Sequence, residues 1–144
     1  MPELSDEIQE ILEVEADRAL TAGWAEVRVD EGDIGLTIYL EPMKLAAAPL
    51  EVYFDSDELL VCSPGRSNMV CEFYSENPEE IKVQVRALAA AVVSGNYTEK
   101  VTEGSIQIKG DWPGPTGMQR ATRDVLNIST SKPQRWRSVT YEPY

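Results

Sequence analysis

The chain reads as an α+β domain, and three observations carry that reading. Apolar residues recur at helical spacing from Ser5 to Leu20 and again from Pro78 to Val92. Between those stretches they alternate with polar residues at a period of two over several short segments, and the changes of period fall at Gly, Pro, Asn and Asp. The expected architecture is a single domain over residues 1–144: an antiparallel β-meander of about five or six strands, with two main helices packed on one face. A chain of 144 residues is long enough to enclose one core.

The elements follow in order. Ser5, Asp6 and Glu7 suit a helix start, a hydroxyl for the cap and carboxylates at the positive end of the dipole. Ile8, Ile11, Leu12, Ala16, Ala19 and Leu20 form the apolar side, and Gly23 supplies the stop. The other side carries Glu10, Glu13 and Asp17, flanked by Glu15, as an acidic stripe that is either a solvated face or a binding strip. From Trp24 the period becomes two. Ala25, Val27 and Val29 alternate with charged residues, and after Glu31-Gly32-Asp33 the pattern resumes as Ile34, Leu36, Ile38 and Leu40, which predicts a hairpin with one buried face.

EPMKLAAAP, residues 41–49, reads as a connection with at most one short turn of helix. Leu50, Val52 and Phe54 form a third strand, Ser56-Asp57 a turn, and Leu59–Cys62 and Met69–Tyr74 two more strands around Pro64-Gly65-Arg66. A loop at Gly65–Asn68 sets Cys62 and Cys71 opposite each other on one face of the hairpin. Asn77-Pro78-Glu79-Glu80 predicts a helix start and Gly95-Asn96 its end, with Ile81, Val85, Leu88, Ala89 and Val92 buried. Further on, YTEKVTEGSIQIKG predicts a hairpin turning at Glu103-Gly104, DWPGPTG an irregular loop, MQRATRDVLN a short helix and RWRSVTY a last strand.

Charge narrows the partners. The net charge is −12; residues 1–100 hold 21 acids and 7 bases, whereas residues 101–144 hold 4 and 6. Nucleic-acid affinity is built from Lys and Arg on phosphates, so the expected partner is a basic protein and no nucleic acid. Arg135, Trp136 and Arg137 could stack on bases, but pairing with the acidic part of the chain fits the overall charge better. No apolar run approaches the roughly 18 residues of a membrane span, and the acidic N-terminal stretch is unlike a secretory signal; no membrane contact and a cytoplasmic location are the expectations.

Chemistry is mostly excluded. The chain has no histidine, which removes Ser-His-Asp and Cys-His arrangements and the usual zinc sites. No GxGxxG or GxxxxGK[ST] pattern occurs. Asp55 with Asp57 is the obvious carboxylate pair for acid/base work. Two cysteines without further thiols cannot close a metal shell and form no CxxC, so Cys62 and Cys71 read as packing. No catalytic residue, metal or cofactor is expected. In GDWPGPTG, Asp111 and Trp112 are candidates for an exposed partner-binding anchor, the alternative being that Trp112 folds back over the core edge.

The run DELLVCSPGRSNMVCEFYSENPEEIKVQVRALAAAV orders a strand, a polar Gly-Arg turn, an aromatic-ended strand and a Pro-capped helix. In this it resembles small cytoplasmic immunity proteins of bacterial polymorphic toxin systems, over roughly residues 55–95. The resemblance implies an acidic, non-enzymatic monomer that blocks the active site of a basic toxin domain. The same layout is similar to small secretion chaperones, which would imply a dimer holding a secreted client. Glu10, Glu13, Asp17, Asp111 and Trp112 are the residues expected to meet the partner.

Overall fold

The computed structural model describes residues 4–19, 25–31, 35–55, 60–73, 77–102, 107–124 and 135–144. The Gly23 stop and the turns expected at 31–33, 56–57 and 103–104 fall largely or wholly outside these. Helix α1 (Leu4–Ala19) buries Ile8, Ile11, Leu12 and Ala16; it is already helical at Leu4, so Ser5 lies in its first turn with Asp6 and Glu7 rather than at the cap. Helix α2 (Pro78–Ser94) begins where the sequence indicates. Asn77 Oδ1 accepts the Glu79 N–H at 3.0 Å, Pro78 occupies the first turn, and Gly95 closes the helix in the left-handed region at φ 78°. The Asn96 N–H then bonds the Ala91 carbonyl at 2.8 Å.

The meander is present as a five-stranded antiparallel sheet in the order β1 (Ala25–Glu31), β2 (Gly35–Pro42), β3 (Leu50–Asp55), β4 (Leu60–Pro64), β5 (Cys71–Phe73). Its register pairs Cys62 with Cys71, so the two thiols face each other on the buried side. Ile38, Leu40, Leu50, Val52 and Leu60 share that side. Residues 43–46 form a turn that leaves Met43 and Leu45 exposed.

Beyond Asn96 the chain builds a second antiparallel sheet of four strands, order β8-β7-β6-β9: β6 (Thr98–Thr102), β7 (Gln107–Gly114), β8 (Gly117–Asp124) and β9 (Trp136–Thr140). The expected hairpin and last strand are β6–β7 and β9. Two local expectations are corrected. GDWPGPTG is not an irregular loop: β7 continues to Gly114 and turns through Pro115-Thr116 into β8, eight residue pairs long. Pro113 is tolerated because β7 has outrun β6 there, whose last pairing is Thr98 with Asp111, so no second ladder needs its missing N–H. The described part of the MQRATRDVLN segment is therefore strand. Met118 and Ala121 are three apart, a helical spacing that places them on opposite faces of a strand, and pairing with β7 overrides it.

The helices are shared between the sheets. Helix α1 packs on β1 and β2, and α2 packs on α1 and on β7. The β4–β5 turn carries the tie between sheets: Gly65 at φ 76° lies so close to β6 that a Cβ there would stand 2.6 Å from Glu99 Oε1. The Arg66 N–H donates to Tyr141 Oη at 2.8 Å, Arg66 Nη2 to the Ala47 carbonyl at 3.2 Å, and Arg123 of β8 to the Asn68 carbonyl.

Burial pushes the Cys62 thiol up and carries the Cys71 thiol to about 12, with the Glu99 carboxylate adding to the latter. From the ordinary value of 9.0, that lowers the thiolate fraction of Cys71 about a thousandfold. A disulfide-exchange reagent at pH 8 is therefore expected to find no rapidly reacting thiol in the native protein and both cysteines after denaturation; fast native labelling would contradict the packing described.

Candidate protein-binding surface

A strand that buries one phase of its alternation must present the other. On the five-stranded sheet the outward phase runs Asp30, Thr37, Tyr53, Val61, Glu72 in one cross-strand row and Arg28, Tyr39, Glu51, Ser63 in the next, with Glu26 opposite Glu41 beyond. Glu26, Arg28, Asp30, Glu41, Glu51 and Glu72 are exposed, while Tyr39 and Tyr53 are half-buried at the centre. The Arg28 guanidinium lies 4.5 Å above the Tyr39 ring and 3.1 Å from Glu41. Tyr53 leans over Gly35, where a Cβ would come within 2.8 Å of its hydroxyl. Two aromatic rings thus sit in neighbouring rows inside a rim of five carboxylates and one arginine. Tyrosines held in this way offer apolar area at low entropic cost, and the rim around them carries a surplus of negative charge.

The residues expected to meet a partner are not gathered at this face or anywhere else. Glu10, Glu13 and Asp17 are exposed on α1, with Glu13 accepting from Gln9 Nε2 at 3.1 Å. Because α1 covers the inner side of β1 and β2, that stripe lies away from the outer face. Glu15 does not belong to the stripe: it is 4% exposed. Asp111 lies on the outer side of the second sheet, gripped by Arg120 through Nε at 2.6 Å and Nη2 at 3.1 Å, so its charge is matched.

Trp112 is not an exposed anchor. As Asp111's strand neighbour it points to the opposite side, where it is 3% exposed and packs against Tyr97 with ring centroids 6.3 Å apart. Of the Asp55–Asp57 pair, the Asp55 side chain and all of Asp57 lie outside the described residues. Among the described residues no three His, Cys, Asp or Glu converge on a metal-sized site, and no helix is long and apolar enough to cross a membrane.

The buried chemistry missed by the sequence reading centres on Glu99. At 1% exposure its Oε2 accepts the Tyr97 hydroxyl at 3.0 Å, its Oε1 accepts the Tyr141 hydroxyl, and Ser67 adds a further hydrogen bond. The Tyr97 and Tyr141 rings stack with centroids 6.1 Å apart. Burial raises the Glu99 pKa, and the three hydroxyl donors oppose the rise. The available signal was the alternation Tyr97, Glu99, Val101, which puts the carboxylate in the buried phase of β6.

Two outcomes follow from this packing. Trp112→Ala is expected to cost about 3–5 kcal/mol in denaturant unfolding, as for other buried aromatics. Trp112→Phe should cost much less, because among the described residues the indole N–H has no partner and its removal leaves nothing unsatisfied. Glu99 binds its proton more tightly folded than unfolded, so its contribution is most favourable below the ordinary value of 4.5 and is lost as pH rises through the raised folded value. The stability of the natural protein relative to Glu99→Gln should therefore fall with increasing pH above about 4.5; a pH-independent difference would refute the shift.

No family model, curated protein or solved structure matches the chain, so the outer face is argued from its own chemistry.

Proposed function

We propose that the chain is a non-enzymatic acidic binding protein, an immunity protein that neutralises a basic toxin domain by covering its active site. The outer face of the five-stranded sheet supplies the contact. The observation that carries this reading is the placement of Tyr39 and Tyr53 at the centre of a sheet face rimmed by Glu26, Asp30, Glu41, Glu51 and Glu72. Aromatic centres with a polar rim are the usual anatomy of an energetic hot spot. A net charge of −12 supports the same partner class, because it raises the encounter rate with a basic protein while the tyrosines set the lifetime of the complex.

The test screens polypeptides encoded next to this chain for a basic domain and titrates it against the natural protein and surface variants whose unfolding midpoints are unchanged. Tyr53→Ala should weaken binding by about 2 kcal/mol or more. The pair Glu51→Lys, Glu72→Lys should slow association and flatten its salt dependence, and co-expression of either variant should fail to restore growth. Natural affinity in all of them would move the interface off this face, and no complex at low salt would end the toxin reading. The free protein is expected to be a monomer by solution mass; a stable dimer would instead favour the chaperone-like alternative.

A further inference from the structure

The chain has two cysteines, and the fold sets them face to face. Cys62 of β4 and Cys71 of β5 are direct cross-strand partners on the buried side of the five-stranded sheet, at 0% and 4% exposure. Only the β4–β5 turn separates them along the chain, and that turn is fixed at several points. Gly65 and Asn68 both adopt the left-handed region, at φ 76° and 65°. The Ser63 hydroxyl donates to the Met69 carbonyl at 2.7 Å across the hairpin, and the Gly65 N–H donates to the Pro49 carbonyl at 2.8 Å. With one side of the hairpin buried, the pair is held in a single register.

Directly opposed residues of an antiparallel pair have Cα atoms about 4.5–5.5 Å apart, inside the range of about 4.4–6.8 Å that a disulfide spans. The ladder thus brings the two backbones to bonding separation. Burial then governs when a bond can form. Thiol–disulfide exchange needs a thiolate in contact with a disulfide from solution. In the native protein both thiols are covered, and burial holds both in the protonated form. In the unfolded chain neither obstacle exists.

We propose that Cys62 and Cys71 form a disulfide site that closes while the chain folds and is then sealed by the core, so that the protein keeps the thiol state in which it folded. The oxidant is a small-molecule disulfide such as oxidised glutathione. The thiolate of one cysteine attacks it, forming a mixed disulfide and releasing one glutathione thiolate. The other cysteine's thiolate then attacks the protein-side sulfur, and the second glutathione thiolate leaves. Two cysteine thiols and one glutathione disulfide become one protein disulfide and two glutathione thiols. The two electrons given up by the cysteines reduce the reagent, and their two protons pass to the departing thiolates. The bond joins the strands whose turn ties the two sheets together.

The natural protein is unfolded in guanidinium and refolded with either oxidised glutathione or dithiothreitol, and each product is followed by intact mass, peptide mapping and thermal unfolding. Refolding with oxidised glutathione is expected to give a monomer lighter by two hydrogens, mapped to a Cys62–Cys71 bond. Closing residues 62–71 removes freedom from the unfolded chain, so the unfolding constant should fall about a hundredfold and the midpoint rise by about 5–10 °C. Transferred afterwards to the opposite buffer, each native form should convert at least about a hundredfold more slowly than in denaturant. The double variant Cys62→Ala, Cys71→Ala should show one midpoint in both buffers, which ties the difference to the bond. Four results overturn the proposal: a glutathione adduct or an intermolecular dimer in place of the bond; a midpoint no higher than that of the reduced protein; native forms that convert as fast as unfolded ones; a buffer-dependent midpoint in the double variant. None of these readouts involves a partner, so the disulfide site and the binding face can fail separately.

Discussion

The arrangement of the two sheets depends on the burial of one carboxylate. Glu99 can be held out of water only where donors replace its hydration, and Tyr97, Tyr141 and Ser67 supply them from three separate parts of the chain. Ser67 belongs to the β4–β5 turn of the first sheet, Tyr97 and Glu99 to the start of the second, and Tyr141 to the segment after β9. Removing any one partner leaves a buried charge short of a donor, and that penalty fixes the turn against β6 more firmly than apolar contact alone could. The backbone accommodates it with glycine at 65, since any side chain there would meet both Glu99 and the Tyr141 hydroxyl.

That dependence explains which parts of the fold were legible in the sequence. Helix α2 was, because its cap, proline and terminal glycine are local signals that agree with its apolar period. The meander was, down to the opposition of Cys62 and Cys71, because each strand shows an alternation with turn residues between. The second sheet was only half legible. GMQRATRD has no apolar phase strong enough to declare a strand, and its state is set by pairing with β7, a tertiary partner that a local pattern does not reveal. Glu99 and Glu15 escaped for a related reason: carboxylates count as surface until the element that buries them is in place.

The candidate surface was harder still to read. Asp111 and Trp112 are adjacent in sequence, which suggested one anchor, but neighbours in a strand point to opposite sides, and β7 sends one to Arg120 and the other into the core. Tyr39 and Tyr53 lie in the outward phase of strands whose apolar phase is what betrays them. A candidate face of this kind has no period of its own; it consists of whatever the core leaves over, and only the register that aligns Thr37 with Tyr53 and Tyr39 with Glu51 shows that the two rings are neighbours. The acidity is likewise not one field. It concentrates on the outer face and along α1, while Lys100 and Lys109 pair across β6 and β7 and Lys109 lies 4.3 Å over the Trp136 ring.

Residues 141–144 have a consequence for how the molecule assembles. Tyr144 donates its N–H to Val93 and its hydroxyl to Ala48, and Glu142 pairs beside Ala47, so the connection after β2 is clasped by chain nearly a hundred residues downstream. Contacts of such separation cost more loop-closure entropy than the sequential pairings of the meander or the turns of α2, which favours those elements forming first. Stability that enters after the folding barrier slows unfolding rather than speeding folding. A clasp that forms after the barrier would act as a latch, lengthening the native state's lifetime more than it speeds arrival there.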